Sequence, residues 1–205
     1  VPETPALDLS QTYDKASMFF NFGTSGTGEA YYWDDVEFVG GAAETARVQV
    51  IHNSADAAAA VVDVWLNDIL LLDDFAFRTA SPFVDAPAGE EFTISIKGPD
   101  SENPDNPIWS MNYTLEAGET YVLVANGIVS ETGYDPNQPF DIYVYDMGRE
   151  MASDMNNTDV LVFHGSTDAP TVDVVEIGVG AGTIVDDLMY SDFQGYLELP
   201  TANYV

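Results

Sequence analysis

The sequence contains the residue types of a serine hydrolase at close spacing, and it contains them twice. His52, Ser54 and Asp56 occupy every second position, and the same three residue types return over residues 164–168. In a hydrolase, an imidazole activates the serine hydroxyl and a carboxylate orients the imidazole. No glycine motif for an oxyanion hole accompanies either set. We therefore predict that His52 ends a strand, that Ser54 and Asp56 bond their own backbone in a turn, and that the chain is not an enzyme.

Acidic side chains are the second group that could do chemistry. Asp63 and Asp173 each lie between two valines, so they point away from the apolar face of a strand and are expected to be solvated. A hydrolase with paired carboxylates needs two acids that face each other across a cleft, about 5–10 Å apart. With 35 Asp and Glu in the chain, some pairs reach that distance by chance. The acidic composition therefore leaves the prediction of a non-catalytic protein unchanged.

Three acidic loops offer oxygen ligands for a cation. They are residues 100–105, 135–137 and 154–159. Calcium takes roughly six to eight oxygen ligands and tolerates irregular loops. None of the three loops has the spacing of an EF-hand, so solvated acidic loops are the favoured interpretation. Ca²⁺ remains a candidate cofactor on this reasoning.

Strands must position these residues, because apolar residues recur at every second position rather than at helical spacing. Such runs occur at Val48–His52, Val62–Leu66, Phe92–Ile96 and Tyr121–Ala125. A period of two predicts half-buried strands, and Gly, Pro, Asn and Asp punctuate the chain between the runs. Short strands at this spacing are typical of a β-sandwich. The predicted fold is therefore all-β, an Ig-like or transthyretin-like sandwich.

An internal repeat organises the chain. Arg47–Ala57 returns as Asp159–Ala169, and Val62–Val64 returns as Val172–Val174. Two further segments match downstream, Leu72–Phe75 with Val185–Leu188 and Pro82–Pro87 with Gly195–Pro200. We predict one complete sandwich at residues 46–155 and a partial second sandwich at 156–205. The residues expected to superpose, each set facing a core, are Val48, Val50, Val62, Val64, Phe75, Phe77 and Phe83 with Val160, Val162, Val172, Val174, Leu188, Tyr190 and Tyr196.

A set of short motifs runs in order through the first copy. They are Ala46–Ala57, Val62–Val64, Phe77, Pro87–Gly89, Leu115–Tyr121 and Phe140–Asp146. Together they resemble the bacterial and archaeal domain of unknown function 4397 family. The resemblance implies an extracellular or surface β-sandwich that commonly occurs in tandem, and it supplies no catalytic residues.

The amino-terminal residues carry a second resemblance. Ala16–Gly23 and Tyr31–Phe38 are similar to the closing strands of a jelly-roll carbohydrate-binding module. Residues 1–45 are therefore interpreted as the partial remnant of a jelly-roll domain. In such modules an aspartate at the position of Asp34 or Asp35 often helps to hold a structural calcium, so the resemblance implies Asp34 and Asp35 as metal ligands.

Charge and composition narrow the range of partners. The chain has 35 acidic and 5 basic side chains, a net charge of −30, and no cysteine. Nucleic acid and anionic membranes are poor partners because their binding depends on basic patches that release counterions. No apolar stretch approaches the about 20 residues of a membrane-spanning helix. An excess of acids and a lack of cysteine suit an exported protein in saline surroundings, so we expect an extracellular or cell-surface location.

These observations predict a non-catalytic surface module that acts as a spacer or adhesion unit of a larger exported protein or filament. Its partners are expected to be neighbouring domains or identical subunits, joined to it by strand complementation where a sandwich is incomplete. The alternative is a carbohydrate-binding accessory module of a secreted polysaccharide-degrading enzyme. That alternative requires aromatic rings, such as those at Phe19–Phe22 and Tyr31–Trp33, to stack on sugars rather than in a core.

Overall fold

The structure is a computed structural model that describes residues 44–205. The predicted jelly-roll remnant and the predicted metal ligands Asp34 and Asp35 lie outside the described residues. The strands are β1 (Thr45–His52), β2 (Val61–Leu66), β3 (Ile69–Ala76), β4 (Thr79–Ala80), β5 (Val84–Pro87), β6 (Glu91–Lys97), β7 (Trp109–Thr114), β8 (Thr120–Asn126), β9 (Asp141–Tyr145), β10 (Asn157–Phe163), β11 (Val172–Glu176), β12 (Gly182–Leu188) and β13 (Phe193–Pro200). One turn of 3-10 helix, Ala57–Ala59, joins β1 to β2. Within residues 44–205, no helix is long and apolar enough to cross a membrane.

The first nine strands form a β-sandwich, so the predicted all-β sandwich is confirmed. One sheet has the order β4-β1-β8-β9, with β5 also paired to β1, and the other has the order β3-β2-β6-β7. Strands β1 and β8 run parallel, whereas the other pairs of these two sheets are antiparallel. The parallel pair requires the chain to cross to the other sheet and return between β1 and β8.

The core lies between the two sheets and follows the alternation seen in the sequence. Along β1, Val48, Val50 and His52 are buried while the intervening residues are half-buried. The opposing wall comes from β2 and β6, and the buried side chains from both sheets form one apolar cluster. The remaining void in this core is about 30 Å³. Packing this close means that each of these apolar side chains contributes to stability.

Strand β2 departs from simple alternation because both of its faces are covered. Val62–Leu66 are buried without interruption. The loop after β6 folds over the outer face, where the indole Nε1 of Trp65 donates to Ser101 Oγ at 2.8 Å. The prediction of a solvated Asp63 is therefore wrong, since Asp63 is 0% exposed beneath this loop. A strand buried on both faces loses the amphipathic pattern that sequence reasoning relies on.

Strands β10–β13 form two separate pairs, β10 with β13 and β11 with β12. Val160, Val162, Val172 and Val174, which were predicted to face a core, are only half-buried. Leu188 is buried at 5% exposure. This part of the chain therefore shows strand pairs whose apolar faces are partly open.

The predicted core positions of Phe83 and Tyr196 are wrong. Residues directly opposite each other in a sheet share a face, and neighbours along a strand point to opposite faces. Val84 pairs with Val48, which places Phe83 on the other face. Tyr196 pairs with Leu161, so it lies on the face opposite Val160. Val160 pairs with Leu197 as Val48 pairs with Val84, so the pairing matches the alignment of the two copies, and the error lies in the face assigned to Phe83 and Tyr196.

Candidate functional site

His52 is a buried structural histidine that forms no hydrogen bond with Ser54. Its Nε2 lies 2.7 Å from the carbonyl oxygen of Ala59, and because a carbonyl only accepts, Nε2 donates. The ring is 1% exposed and packs beside Phe75 and Phe77, with centroids 6.0 and 6.1 Å away. Desolvation by burial lowers the pKa of His52. A neutral imidazole bound in this way fixes the turn after β1 rather than activating a hydroxyl.

The hydroxyl of Ser54 is committed to a distant segment of backbone. Ser54 is 0% exposed, and its Oγ donates to the carbonyl of Gly127 at 2.6 Å. Among residues 44–205, Ser54 does not form the predicted hydrogen bond to the backbone of its own turn. Ser54 therefore joins the end of β1 to the end of β8, which is a structural role.

Asp56 is the centre of a hydrogen-bond network that joins the turn after β1 to the segment after β8. Its carboxylate accepts bonds from the backbone amides of Ala58, Val129 and Ser130, at 2.9, 3.0 and 2.6 Å. The hydroxyls of Ser130 and Tyr134 donate to it at 2.9 and 3.2 Å. Only the bond to Ala58 belongs to its own turn, as predicted; the other bonds anchor the segment after β8.

The environment of Asp56 favours the charged form. Desolvation would raise the pKa, but the amides of Ala58 and Ser130 and the two hydroxyls together lower it below 3.8. The side chain is 2% exposed, so the carboxylate exchanges its water shell for five donors of the protein. Asp56 therefore holds the segment after β8 against the turn after β1, and neither of its carboxylate oxygens is left to orient an imidazole.

The stability that Asp56 contributes is expected to depend on pH. Because its folded pKa lies below the ordinary value of 3.8, the contribution is present above that value and is lost as pH falls through the lower folded value. We expect the difference in free energy of unfolding between the wild type and Asp56→Asn to shrink as pH falls below about 4. Urea denaturation of both proteins at a series of pH values measures this difference. A difference that stays constant throughout the acid range would contradict the charged state assigned here.

The second histidine motif repeats one of these contacts and lacks the others. His164 Nε2 donates to the carbonyl of Pro170 at 2.9 Å, as His52 does to Ala59. Ser166 Oγ donates to Asp168 Oδ1 at 2.9 Å, and both of these side chains are exposed. Within residues 44–205, no segment corresponding to the one after β8 lies against them.

A second pair of matching sites involves the aspartates that follow the valines. Asp63 Oδ1 accepts from the amide of Asp74 at 2.9 Å, and Asp173 Oδ1 accepts from the amide of Asp187 at 2.9 Å. Asp74 and Asp187 have φ of 50° and 51°. In both places the pairing register shifts, so that the partner strand carries an extra residue. Each aspartate therefore caps the amide of a left-handed residue in a β-bulge.

The same aspartates form the carboxylate clusters of the described residues that could hold a metal. One cluster is Asp63 with Asp73 and Asp74, and the other is Asp173 with Asp186 and Asp187, each within 4.8 Å.

Asp63 is already satisfied by hydrogen bonds. Its Oδ2 accepts from the amide and the hydroxyl of Ser101 at 2.7 and 2.6 Å. In the first cluster, desolvation raises the pKa of Asp74, and repulsion from Asp100 and Asp73 raises it further. In the second cluster, repulsion from Asp173 raises the pKa of Asp186. The acidic loops named above contribute no three-residue cluster within residues 44–205.

Glu176 is a buried acid that the sequence reasoning missed. Its carboxylate accepts bonds from the amides of Gly178, Val179, Ala181 and Val205, at 2.6 to 3.1 Å. Desolvation raises the pKa of Glu176, but the hydrogen bonds from these amides lower it by more, so that the pKa falls to about 2. The signal in the sequence is the glycine-rich turn that follows it, because such turns point successive amides inward. Glu176 closes the turn between β11 and β12.

A groove of about 400 Å³ opens at the His164 end of β10. Its floor is apolar and includes Val162, Val172, Val174 and Leu188. The polar side chains that line it are Asn53, Arg78, His164, Ser166, Thr167 and Asp168. At the matching place between β1 and β2, the apolar side chains of β6, β8 and β9 fill the space and leave the 30 Å³ void.

Comparison with known proteins gives a family but no described activity. Neither a curated protein nor a solved structure matches this chain. A family model with the description "Domain of unknown function (DUF4397)" matches residues 46–175, more than half of the chain. The match begins in β1 and extends through most of β11, so it contains both histidine motifs. The chain therefore belongs to the DUF4397 family.

Proposed function

We propose that the chain is a non-catalytic β-sandwich module that serves as a spacer or adhesion unit of a larger exported protein or filament. The observation that carries the proposal is the aromatic seam, in which β10, β13 and the turn before β13 stack against β9. The seam consists of Tyr143, Tyr145, Phe163, Tyr190, Phe193 and Tyr196. A spacer needs its units held in a fixed arrangement, and the aromatic seam provides a contact between the sandwich of β1–β9 and the strands β10–β13.

The seam combines ring packing with polar contacts at its rim. Ring centroids are 5.4 Å apart for Tyr143 and Phe163 and 5.3 Å apart for Tyr145 and Phe193. The guanidinium of Arg149 lies 4.9 Å from the centre of the Tyr196 ring. It also pairs with Asp159, with Nη1 and Oδ2 3.0 Å apart. Aromatic pairs add about 0.5–1.5 kcal/mol each beyond their buried area, so the seam can hold the two parts in a preferred arrangement.

The side chains that could act as a nucleophile or a general base support a structural rather than a catalytic role. Ser54, Asp56 and Asp63 are buried and hydrogen-bonded within the fold. A nucleophile or a general base must reach a substrate with a free lone pair. These three side chains serve as pins and caps instead, which favours a module without its own activity.

A tandem arrangement is the finer part of the proposal. It places one Ig-like or transthyretin-like sandwich at residues 46–155 and part of a second at 156–205. Support comes from equivalent hydrogen bonds in the two copies. His52 and His164 each donate to a carbonyl in the turn that follows, and Asp63 and Asp173 each accept from the amide of a β-bulge residue.

We further propose an extracellular or cell-surface location. The net charge of −30 and the absence of cysteine support it, because dissolved salt screens repulsion between the acidic side chains. The alternative of a carbohydrate-binding accessory module depends on aromatic residues and on Asp34 and Asp35, which lie outside the described residues. It remains a prediction, as does a bound Ca²⁺.

The proposal is tested by removing the two rings that β9 contributes to the seam. In the double variant Tyr143→Ser and Tyr145→Ser, we expect a larger radius of gyration and a longer tail in the distance distribution from small-angle X-ray scattering. The control is Val144→Ser, because Val144 lies between them on the opposite face of β9 and is 39% exposed. Circular dichroism checks that all three proteins keep their strands. Identical scattering from the double variant and the wild type would overturn the proposed fixed spacer.

A further inference from the structure

We propose that the open face of β10 and β11 is a docking site for an apolar β-strand that ends in an Asn-Gly turn. The partner is a strand of the chemical type of this chain's own residues 120–134, supplied to β10 in parallel orientation. The inference rests on the proposed tandem function and names the partner of its second unit. It is carried by three features of the described residues: unpaired strand edges, an uncovered apolar floor and two anchor side chains.

The first feature is the pairing of the strands. Within residues 44–205, β10 pairs with β13 alone and β11 pairs with β12 alone. The matching strands of the sandwich have a second partner each, since β1 pairs with β8 and β2 pairs with β6. An edge strand with unpaired amides and carbonyls is a template for another strand. Among residues 44–205, the edge of β10 that corresponds to the β8 side of β1 therefore has no partner strand.

The second feature is the apolar floor of the groove at the end of β10. Val162, Val172 and Val174 are half-buried there, whereas their counterparts Val50, Val62 and Val64 are 3–6% exposed. Side chains of β6, β8 and β9 cover the counterparts, whereas among residues 44–205 the groove is bordered on the sandwich side by Asn53, Ala55, Phe77 and Arg78 alone. The groove of about 400 Å³ accommodates side chains from a strand.

The third feature is the pair of anchors, Ser166 and Asp168. In the sandwich, the Ser54 hydroxyl donates to the carbonyl of Gly127 just after β8, and the Asp56 carboxylate accepts from the amides of the two residues that follow Ile128. Ser166 and Asp168 occupy the same motif positions, are exposed, and bond only to each other through their side chains among the described residues. A strand followed by a glycine turn would give Ser166 a carbonyl and Asp168 two amides.

The repeat also specifies the register of the docked strand. In the sandwich Val48 pairs with Tyr121, Gln49 with Val122 and Val50 with Leu123, all in parallel. The offset of 112 residues between the two motifs transfers these pairs to β10. The residue equivalent to Val122 should therefore lie beside Leu161, and the side chain equivalent to Leu123 should enter the groove beside Val162.

The first experiment measures binding of a synthetic peptide with the sequence of residues 119–134, labelled with a fluorophore, to the whole chain by fluorescence anisotropy. We expect saturable binding that weakens at least tenfold for Asp168→Asn. The matched control is Asp68→Asn, which removes the same charge from an exposed turn outside the groove and should bind as the wild type does. A peptide with Leu123→Asp should fail to bind, because it would place a charge on the apolar floor.

The second experiment tests where the peptide binds and in which register. The chain has no cysteine, so a single introduced thiol reports one position. With an added thiol oxidant, a peptide with Val122→Cys should form a disulfide with the Leu161→Cys chain and not with the Gln49→Cys chain, whose position is already beside β8. Peptides with cysteine at position 121 or 123 should cross-link poorly, because their side chains point to the opposite face.

Absence of saturable binding, or equal affinity for Asp168→Asn and Asp68→Asn, would overturn the proposal. Equal cross-linking at Gln49→Cys and Leu161→Cys would also overturn it. A dimer of the unlabelled chain in sedimentation, abolished by Asp168→Asn, would assign the face to a second copy and refute a separate strand as the occupant. These outcomes are independent of the scattering test, so a fixed spacer can survive a failed docking site, and the reverse.

Discussion

Replacing Asp56 with alanine is expected to lower the free energy of unfolding by about 3–5 kcal/mol, because it strands several buried donors at once. The amides of Val129 and Ser130 would lose their acceptor, as would the hydroxyl of Ser130. The short 3-10 turn would also lose its cap at Ala58. Urea denaturation monitored by tryptophan fluorescence measures the loss.

The internal repeat supplies the matched control for this experiment. Asp168 occupies the same motif position, but it is exposed and its carboxylate accepts one bond, from Ser166. Asp168→Ala is expected to change the free energy of unfolding by about 0.5 kcal/mol or less, as surface substitutions usually do. Equal losses for Asp56→Ala and Asp168→Ala would show that the network around Asp56 contributes no special stability.

Truncation of Phe92 to alanine is the second change with a large expected effect. Phe92 is 4% exposed on β6 and belongs to the apolar cluster between the two sheets, with the Tyr113 ring centred 6.5 Å away. Removing a buried phenyl ring from a well-packed core costs about 3–5 kcal/mol in lost transfer energy and cavity formation. We expect a loss of that size in urea denaturation, with strand content retained in circular dichroism at low urea.

Phe77 is the comparison for Phe92. It is half-buried and lines the open groove, where solvent reaches part of its ring. We expect Phe77→Ala to cost about 2 kcal/mol, roughly half of the value for a fully buried ring. A larger loss for Phe77→Ala than for Phe92→Ala would contradict the placement of the main core between β1, β2, β6 and β8.

Local patterns in the sequence were enough to predict the strands. The period of two at Phe92–Ile96 and Tyr121–Ala125 marks β6 and β8, because side chains of a strand point to alternate faces, although both faces of β8 are buried. The structural roles of His52 and Ser54 were also foreseen in kind. The hydrogen-bond partner of Ser54 and most of the donors to Asp56 could not be predicted, because they lie 73 to 78 residues away in the chain. No local pattern encodes a contact across such a distance.

Tertiary structure alone decided which acids are buried and which apolar faces are covered. The sequence around Asp63 and Asp173 is nearly the same, yet Asp63 is 0% exposed under the loop that carries Ser101 and Asp173 is exposed. Likewise, the pairing of β5 with β1 and of β13 with β10 places Phe83 and Tyr196 on the face opposite Val48 and Val160, where Tyr196 forms part of the aromatic seam. The sequence by itself determined strand periodicity, the repeat and the acidic surface, since these depend on near neighbours and composition. Burial depends on which distant segment folds over a residue, and only the assembled sheets decide that.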